Sequence, residues 1–350
     1  MTTPGYLRYP HIHGDLVTFT AEDDVWLAPA SGGRAWKLSA DGASVSYPRF
    51  SPDGSKVAWT SWRDRDPEIY IVNADGSAPR RLTYWGDWQT RAVGWAGENE
   101  VLAVSAVGQP ARQYSWAYAV PLDGPPRRLP YGPVADLSLG GLVGGDLTGA
   151  SPVAKQAALL TGRLDREPAF WKRYRGGTAG RLWTATAEAP EFRRVLADLD
   201  GQVSAPMLIG DRLFFLADPE GTGNIYSCTL DGGDLRRHTD HDGFYARNPA
   251  TDGQRIVYHV AGDIWLLNAA DLDAEPASLD IVLGSPSAAR APKIITAADH
   301  LGEMMPDETG QASVVEVRGT VHWLTHADGP ARAVSVDPNA RARDPRILGR

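Results

Sequence analysis

The chain has 350 residues, a single cysteine and a formal net charge of −8; a lone thiol closes no internal disulfide, so Cys228 reads as a buried strand residue in a reducing compartment. The acidic balance argues against nucleic acid as a partner, since phosphate binding relies on clustered Lys and Arg. No stretch approaches the roughly 20 apolar residues of a membrane span, and the first six residues lack a basic-then-apolar leader, so no membrane partner and a cytoplasmic location are expected.

Many short strands separated by turns fit the 12 Trp, 12 Tyr, 37 Gly and 26 Pro, and such a composition points to an all-β fold. In chain order, a first unit opens at Tyr9-Pro10 and continues through Leu16-Val17-Thr18-Phe19, Asp24-Val25-Trp26-Leu27, the Gly32-Gly33 turn and Trp36-Lys37-Leu38-Ser39. The second is the clearest copy. It opens with a turn at Tyr47-Pro48, then runs through Ser51-Pro52-Asp53-Gly54, Lys56-Val57-Ala58-Trp59-Thr60, Glu68-Ile69-Tyr70-Ile71-Val72, Asp75-Gly76 and Arg80-Arg81-Leu82-Thr83. A third follows through Val101–Val104, Trp116–Val120, Asp123-Gly124 and Arg127–Leu129. The fourth uses Ala157–Leu160, Leu182-Trp183 and Arg193–Leu196. The last two are plain again: Pro206, Arg212–Phe215, Asn224–Ser227 and Arg236–Thr239, then Pro249, Arg255–Tyr258 and Asp263–Leu266. Repeats of about 40 to 45 residues with four strands each mark a propeller, in which no blade buries enough apolar surface alone. We therefore expect a six-bladed β-propeller of four-stranded antiparallel blades over residues 1–284. Neither terminus offers a clear strand for the other's sheet. The Asp-Gly pairs at 41, 53, 75, 123, 231, 242, 252 and 328 are read as hairpin turns, where Gly accepts positive φ.

A linker over 285–300 precedes a further unit, 301–350. There Val314–Val317, Val321–Thr325 and Ala331–Ser335 read as three strands of an incomplete blade. A single blade leaves both faces exposed, so the chain is expected to be part of a longer protein.

Chemistry is sparse. The sequence holds no Gly-x-Ser-x-Gly elbow, no His-Glu-x-x-His, no phosphate loop and no paired-cysteine zinc spacing, and no cofactor or metal is implied. His11 and His13 share a face of one strand and would ligate a metal if a third ligand approached; strand-opening polarity explains them equally. His238 and His241 could form an acid–base pair with neighbouring Asp, yet they occupy a slot that recurs between blades, which is usually structural. The segment Trp171–Trp183 departs from the repeat and gathers Lys172, Arg173, Arg175 and Arg181 among glycines and aromatics. These cations form a basic channel or rim for an anionic group, or a solvated face of a hairpin whose aromatics pack between blades.

On Pro10-His11-Ile12-His13-Gly14-Asp15, the Trp171–Trp183 segment, Gly223–Ser227 and Asp234–Thr239, the chain resembles the tricorn protease family in order and spacing. Ser51-Pro52-Asp53-Gly54 is shared with TolB-like and prolyl-oligopeptidase propellers and does not discriminate. The resemblance covers the whole chain, with Met304–Gly349 similar to the start of the family's second, seven-bladed propeller. It implies a cytoplasmic serine peptidase, assembled as a homo-hexamer, that degrades oligopeptides downstream of the proteasome. The catalytic residues of such enzymes sit in C-terminal domains absent here, so the chain itself should carry no catalytic residue and should act as a gate or passage for peptides. Family members set basic side chains from a loop near the third blade against the substrate's C-terminal carboxylate. The matching stretch is Gln89-Thr90-Arg91-Ala92-Val93, where Arg91 stands alone in place of a pair. The alternative is a freestanding scaffold, TolB-like or WD-repeat-like, that binds a protein partner; a reading frame continuing past Arg350 separates the two.

Overall fold

Strands buried on both faces need apolar side chains on both, and this requirement shapes every blade. In the second strand of blade 2, Val57 and Trp59 point into a cluster shared with blade 1, while the intervening Ala58 points into one shared with blade 3. Period-two alternation thus divides each strand between two neighbours. The computed structural model describes residues 6–111, 113–143, 153–162, 167–284, 294–334 and 340–348.

Two compact units emerge, residues 1–290 and 291–350. The first holds six antiparallel sheets, each built from four consecutive strands: blade 1 (8–37), blade 2 (45–81), blade 3 (91–128), blade 4 (136–195), blade 5 (203–237) and blade 6 (247–278). Apolar clusters lie between blades 1 and 2, 2 and 3, 3 and 4, 4 and 5, and 5 and 6. A further cluster packs Phe19 and Trp26 of blade 1 with Val257 and Ile264 of blade 6. The ring is therefore joined by side-chain packing at every interface, including the one between its first and last blades.

That joint carries something the repeat does not announce. Ile281–Leu283 runs parallel to Gly33–Lys37, a fifth strand on the outer edge of blade 1. The segment after blade 6 thus does supply a strand to the first sheet. Its three residues are too short to show a period. Leu7 N–H donates to the Gly262 carbonyl at 2.8 Å across the same joint, and the Arg255 guanidinium donates to the Gly14 carbonyl at 2.7 Å.

The first strands differ from expectation at their openings. Tyr9, Tyr47, Ala205 and Asn248 have φ of 51°, 53°, 50° and 47°, each precedes a proline, and each lies where the pairing register shifts within the first strand of its blade. The X-Pro steps read as opening turns are thus β-bulges inside strands. A proline brings no N–H, so the extra residue leaves no unpaired donor where the ladder is interrupted. Of the Asp-Gly pairs, those at 53, 75, 123, 231, 252 and 328 join strands, whereas those at 41 and 242 lie between blades. Asp41 instead accepts hydrogen bonds from Trp59 Nε1 at 2.6 Å and from the Arg63 guanidinium.

A polar residue opening the third strand pins the outer strand in three blades. Asn224 Oδ1 accepts from Thr239 Oγ1 at 2.7 Å and from the His241 N–H at 2.9 Å, while Ile225 N–H donates back to Thr239 Oγ1 at 2.9 Å. Glu68 with Thr83, and Asp24 with Ser39, repeat the arrangement. The separation is 15 residues each time.

In the second unit, Leu301–Pro306, Ala312–Val317, Thr320–Thr325 and Arg332–Ala333 form a four-stranded antiparallel sheet. The blade thus has all four strands, where the sequence shows three. Leu301–Pro306 hides because it is mostly exposed and its register shifts between Leu301 and Met304, so no alternation survives. Residues 285–293 of the expected linker, and Ser335, lie outside the described residues.

Candidate functional site

The first strands of all six blades converge on a central channel. One vestibule, about 270 Å³, is lined by Tyr9, Tyr47, Arg91, Ala135, Ser204 and Asn248 among others. A second, about 440 Å³, is lined by His11, His13, Gly94, Leu139, Met207 and Asp252 among others. Arg49, Asp136, Ala205 and Pro249 line both and form the waist between them. The four bulge residues Tyr9, Tyr47, Ala205 and Asn248 all line the smaller vestibule. Backbone strain of this kind, about 1–3 kcal/mol per residue, persists where surrounding structure over-determines it.

Arg91 opens the first strand of blade 3, Arg91–Trp95, rather than standing in a loop. Its guanidinium sits 3.4 Å from Asp136 Oδ2, donates to the Ala135 carbonyl at 2.5 Å, and lies 5.1 Å from the Tyr47 ring centroid. Burial opposes its charge, but Asp136 and Tyr47 outweigh burial and raise its pKa. Its Nε is buried and has no hydrogen-bond partner among the described residues.

Arg49, from blade 2, was not singled out by sequence. It donates to the Val93 and Pro48 carbonyls at 3.2 and 2.9 Å, with no carboxylate in direct contact among the described residues. Burial pushes its pKa down to about 10, with Asp136 and Tyr47 restoring part and Arg91 opposing. It therefore remains cationic at neutral pH, a desolvated charge facing both vestibules. The only signal for it was its place directly after the bulged Tyr47-Pro48.

His11 and His13 do share a face, in the larger vestibule. Burial, then Arg49 and His13, hold His11 well below the usual imidazole range, and its Nδ1 accepts the Phe50 N–H at 3.2 Å. Among the described residues, no group of three or more His, Cys, Asp or Glu is placed to hold a metal. His238 Nε2 is bonded to Ser227 Oγ at 2.7 Å, and His241 Nε2 to the Tyr258 hydroxyl at 3.0 Å, both outside the vestibule linings.

The stretch that leads into the unusual segment of blade 4 borders the smaller vestibule. Glu167, Pro168 and Ala169 line that vestibule, and the short 3-10 turn Pro168–Phe170 leads into the cations. Glu167 Oε1 accepts from Asn248 Nδ2 at 3.1 Å, and its Oε2 lies 3.4 Å from Arg247. Both partners belong to blade 6, so the segment passes blade 5. Lys172 Nζ lies 5.1 Å from the Tyr245 ring centroid. Arg173 N–H donates to Asp218 Oδ2 at 2.7 Å, and the Arg173 and Arg175 guanidinium groups both meet Asp200. Arg181 donates to the Gly177 carbonyl at 3.2 Å. Arg175 and Arg181 line a separate cavity of about 310 Å³. Arg91 is thus the one sequence-marked cation among the residues lining the vestibules.

No helix among the described residues is long and apolar enough to cross a membrane. The family model described as the tricorn protease N-terminal beta propeller domain matches residues 4–273. The chain is 51% identical over 347 residues to tricorn protease homolog 1 of Streptomyces coelicolor, covering 99% of this chain and 31% of that protein. It is 33% identical over 351 residues to the tricorn protease homolog of Saccharolobus solfataricus, covering 98% of this chain and 30% of that one. It thus spans about a third of the length of these relatives. Among solved structures, the crystal structure of the tricorn protease superposes with a TM-score of 0.73 at 26% identity, over 97% of this chain and 32% of that one. TolB from Acinetobacter baumannii matches at a TM-score of 0.53 and 13% identity, over 75% of this chain and 59% of that one, a likeness of fold alone. With its six blades, its channel and these relatives, the chain belongs to the tricorn protease N-terminal β-propeller family.

Proposed function

We propose that this chain is the noncatalytic, channel-bearing N-terminal part of a tricorn-type serine peptidase that degrades oligopeptides in the cytoplasm, downstream of the proteasome. The nucleophile and its partners belong to later domains of the same polypeptide, and the full-length protein works as a homo-hexamer. Residues 301–350 begin the second propeller. The channel through the six blades gates or conducts peptides, and the single observation that carries this reading is the waist, where two vestibules lined by six inner strands meet at Arg49 and Asp136. Arg91 takes the peptide's terminal carboxylate, and Arg49 from the neighbouring blade supplies the second cation. A charge-assisted pair suits a carboxylate in such a desolvated place. Lys172, Arg173, Arg175 and Arg181 form the basic rim.

Gly94 permits a direct test. It lines the larger vestibule, and a Cβ built there meets nothing within 4 Å. In the full-length enzyme, Gly94→Trp should plug the channel and lower oligopeptide turnover at least about tenfold, a cost of roughly 1.4 kcal/mol in barrier, while a dipeptide-sized chromogenic substrate small enough to diffuse elsewhere is still cleaved. Unchanged oligopeptide turnover would remove the channel from the peptide's route. If the 350-residue chain alone hydrolysed peptides in a manner blocked by a serine-directed inhibitor, its noncatalytic assignment would fail.

A further inference from the structure

The segment from Glu167 to Arg175 is attached differently at its two ends. Beyond Phe170 it is tied into blade 5 and its neighbours: Arg173 N–H to Asp218, Lys172 over Tyr245, and Arg173 and Arg175 to Asp200. Asp218 is itself held by the Tyr245 hydroxyl at 2.7 Å. At the vestibule end, the polar attachment among the described residues is the Glu167 carboxylate, reaching Asn248 and Arg247 of blade 6. Phe170 adds a ring 5.6 Å from the Arg247 guanidinium but remains 62% exposed, and Trp171 is 51% exposed, so little apolar burial holds this end down. Segments with few buried apolar contacts open locally at low cost.

We propose that residues 167–175 form a strap over the smaller vestibule, latched by the Glu167 carboxylate on Asn248 and Arg247, and that releasing this one side chain uncovers the channel mouth. The charge on the latch is set by what faces it. Arg247 lies on the first strand of blade 6 and Arg8 on that of blade 1, and both favour the carboxylate; burial opposes them and raises the Glu167 pKa. Tyr9 of blade 1 also faces it, and its hydroxyl pKa is raised by burial, Tyr47 and Glu167. His259 of blade 6 bonds Asn248 Nδ2 at 3.2 Å and stays neutral because burial, Arg247 and Arg8 hold its pKa near 3. Glu167 is thus the group whose protonation loosens the strap as pH falls.

Amide hydrogen exchange of the full-length protein reads the latch directly. Replacing Glu167 by Gln keeps an acceptor for Asn248 but deletes the ion pair. Glu167→Gln should therefore speed exchange across residues 167–175 by about fivefold to tenfold at pH 7, with Arg181–Thr186 and Arg247–Thr251 unchanged. Arg247→Gln should speed the same amides, and the double variant no further than the faster single one. Lowering the pH from 7 to 5 should speed these amides in the wild type, after correction for intrinsic rates, and leave Glu167→Gln flat. Unchanged exchange in Glu167→Gln, or a rise spread equally over the flanking strands, would overturn the latch. Its bearing on peptide transit rests on the channel reading above, but the exchange measurement does not, so the failure of either is distinguishable from the failure of the other.

Discussion

Arg49 and Arg91 show how two like residues in one ring come to differ. Arg91 has a carboxylate beside it, whereas Arg49 is bonded to main-chain carbonyls only. Removing Arg91 leaves Asp136 without its partner and the channel with one cation fewer. In the full-length enzyme, Arg91→Ala should raise KM for peptides with a free C-terminal carboxylate by about tenfold to a hundredfold, the worth of a charged hydrogen bond. KM for C-terminally amidated peptides should barely move; steady-state kinetics on the matched pair decides it, and equal effects would deny Arg91 the role of anchor. His259 makes a second residue-level case. Burial first, then Arg247 and Arg8, lower its pKa from 6.5 to about 3. Because the folded value lies below the unfolded one, the unfolded state binds the extra proton. Stability is fully present above about pH 6.5 and drains as pH falls toward 3, at up to about 1.4 kcal/mol per pH unit from this group. In urea melts from pH 7 to 4.5, His259→Gln should show a shallower decline than the wild type; parallel curves would rule this origin out.

At the scale of elements, two devices recur. Bulges before proline set the inner strands, and a polar residue at the head of the third strand pins the outer one. Both were written in the sequence, Tyr9-Pro10 recurring as Tyr47-Pro48, and Asn224 with Thr239 matching Glu68 with Thr83 at the same 15-residue separation. The first read there as opening turns and the second went unmarked, because local composition reports a chain reversal but not which partner closes it. The rim strand Ile281–Leu283 is the element with no such signature, and it can be unseated selectively. A Cβ at Gly32, where φ is +86°, would lie 2.8 Å from the Asp280 carbonyl oxygen, whereas at Gly33, with φ +110°, it would meet nothing within 4 Å. Both alanine variants bear the backbone cost of positive φ, about 1–2 kcal/mol, but Gly32→Ala alone collides with the rim strand. Exchange of the Ile281–Leu283 amides should rise at least about tenfold in Gly32→Ala relative to Gly33→Ala; equal rates would mean that the close approach does not hold the strand.

For the whole molecule, the blade count and most of the second and third strands of residues 8–278 were legible, because these strands serve two interfaces and carry a dense period-two signal. The first strands, broken by bulges, read instead as opening turns or, at Arg91, as a loop. The site was legible in part. Arg91 could be marked from its resemblance, but Arg49 acquires its meaning only when the first strands of blades 2, 3 and 4 bring Arg49, Arg91 and Asp136 to one vestibule. Glu167 was invisible for the same reason: its partners are some eighty residues away, on a blade that is not its neighbour.

A ring in which every sheet keeps its own four strands has one joint unlike the others. Between successive blades the polypeptide itself crosses the interface; between blade 6 and blade 1 the crossing is made by a packed cluster, the Leu7 and Arg255 bonds, and the three-residue strand at the rim. Mechanically this is a clasped bracelet rather than a forged hoop. Sideways force applied to the ring would concentrate at the clasp, where the chain crosses only by way of the three-residue strand at the rim, while each of the other five interfaces is spanned by the chain on its way to a full four-stranded sheet.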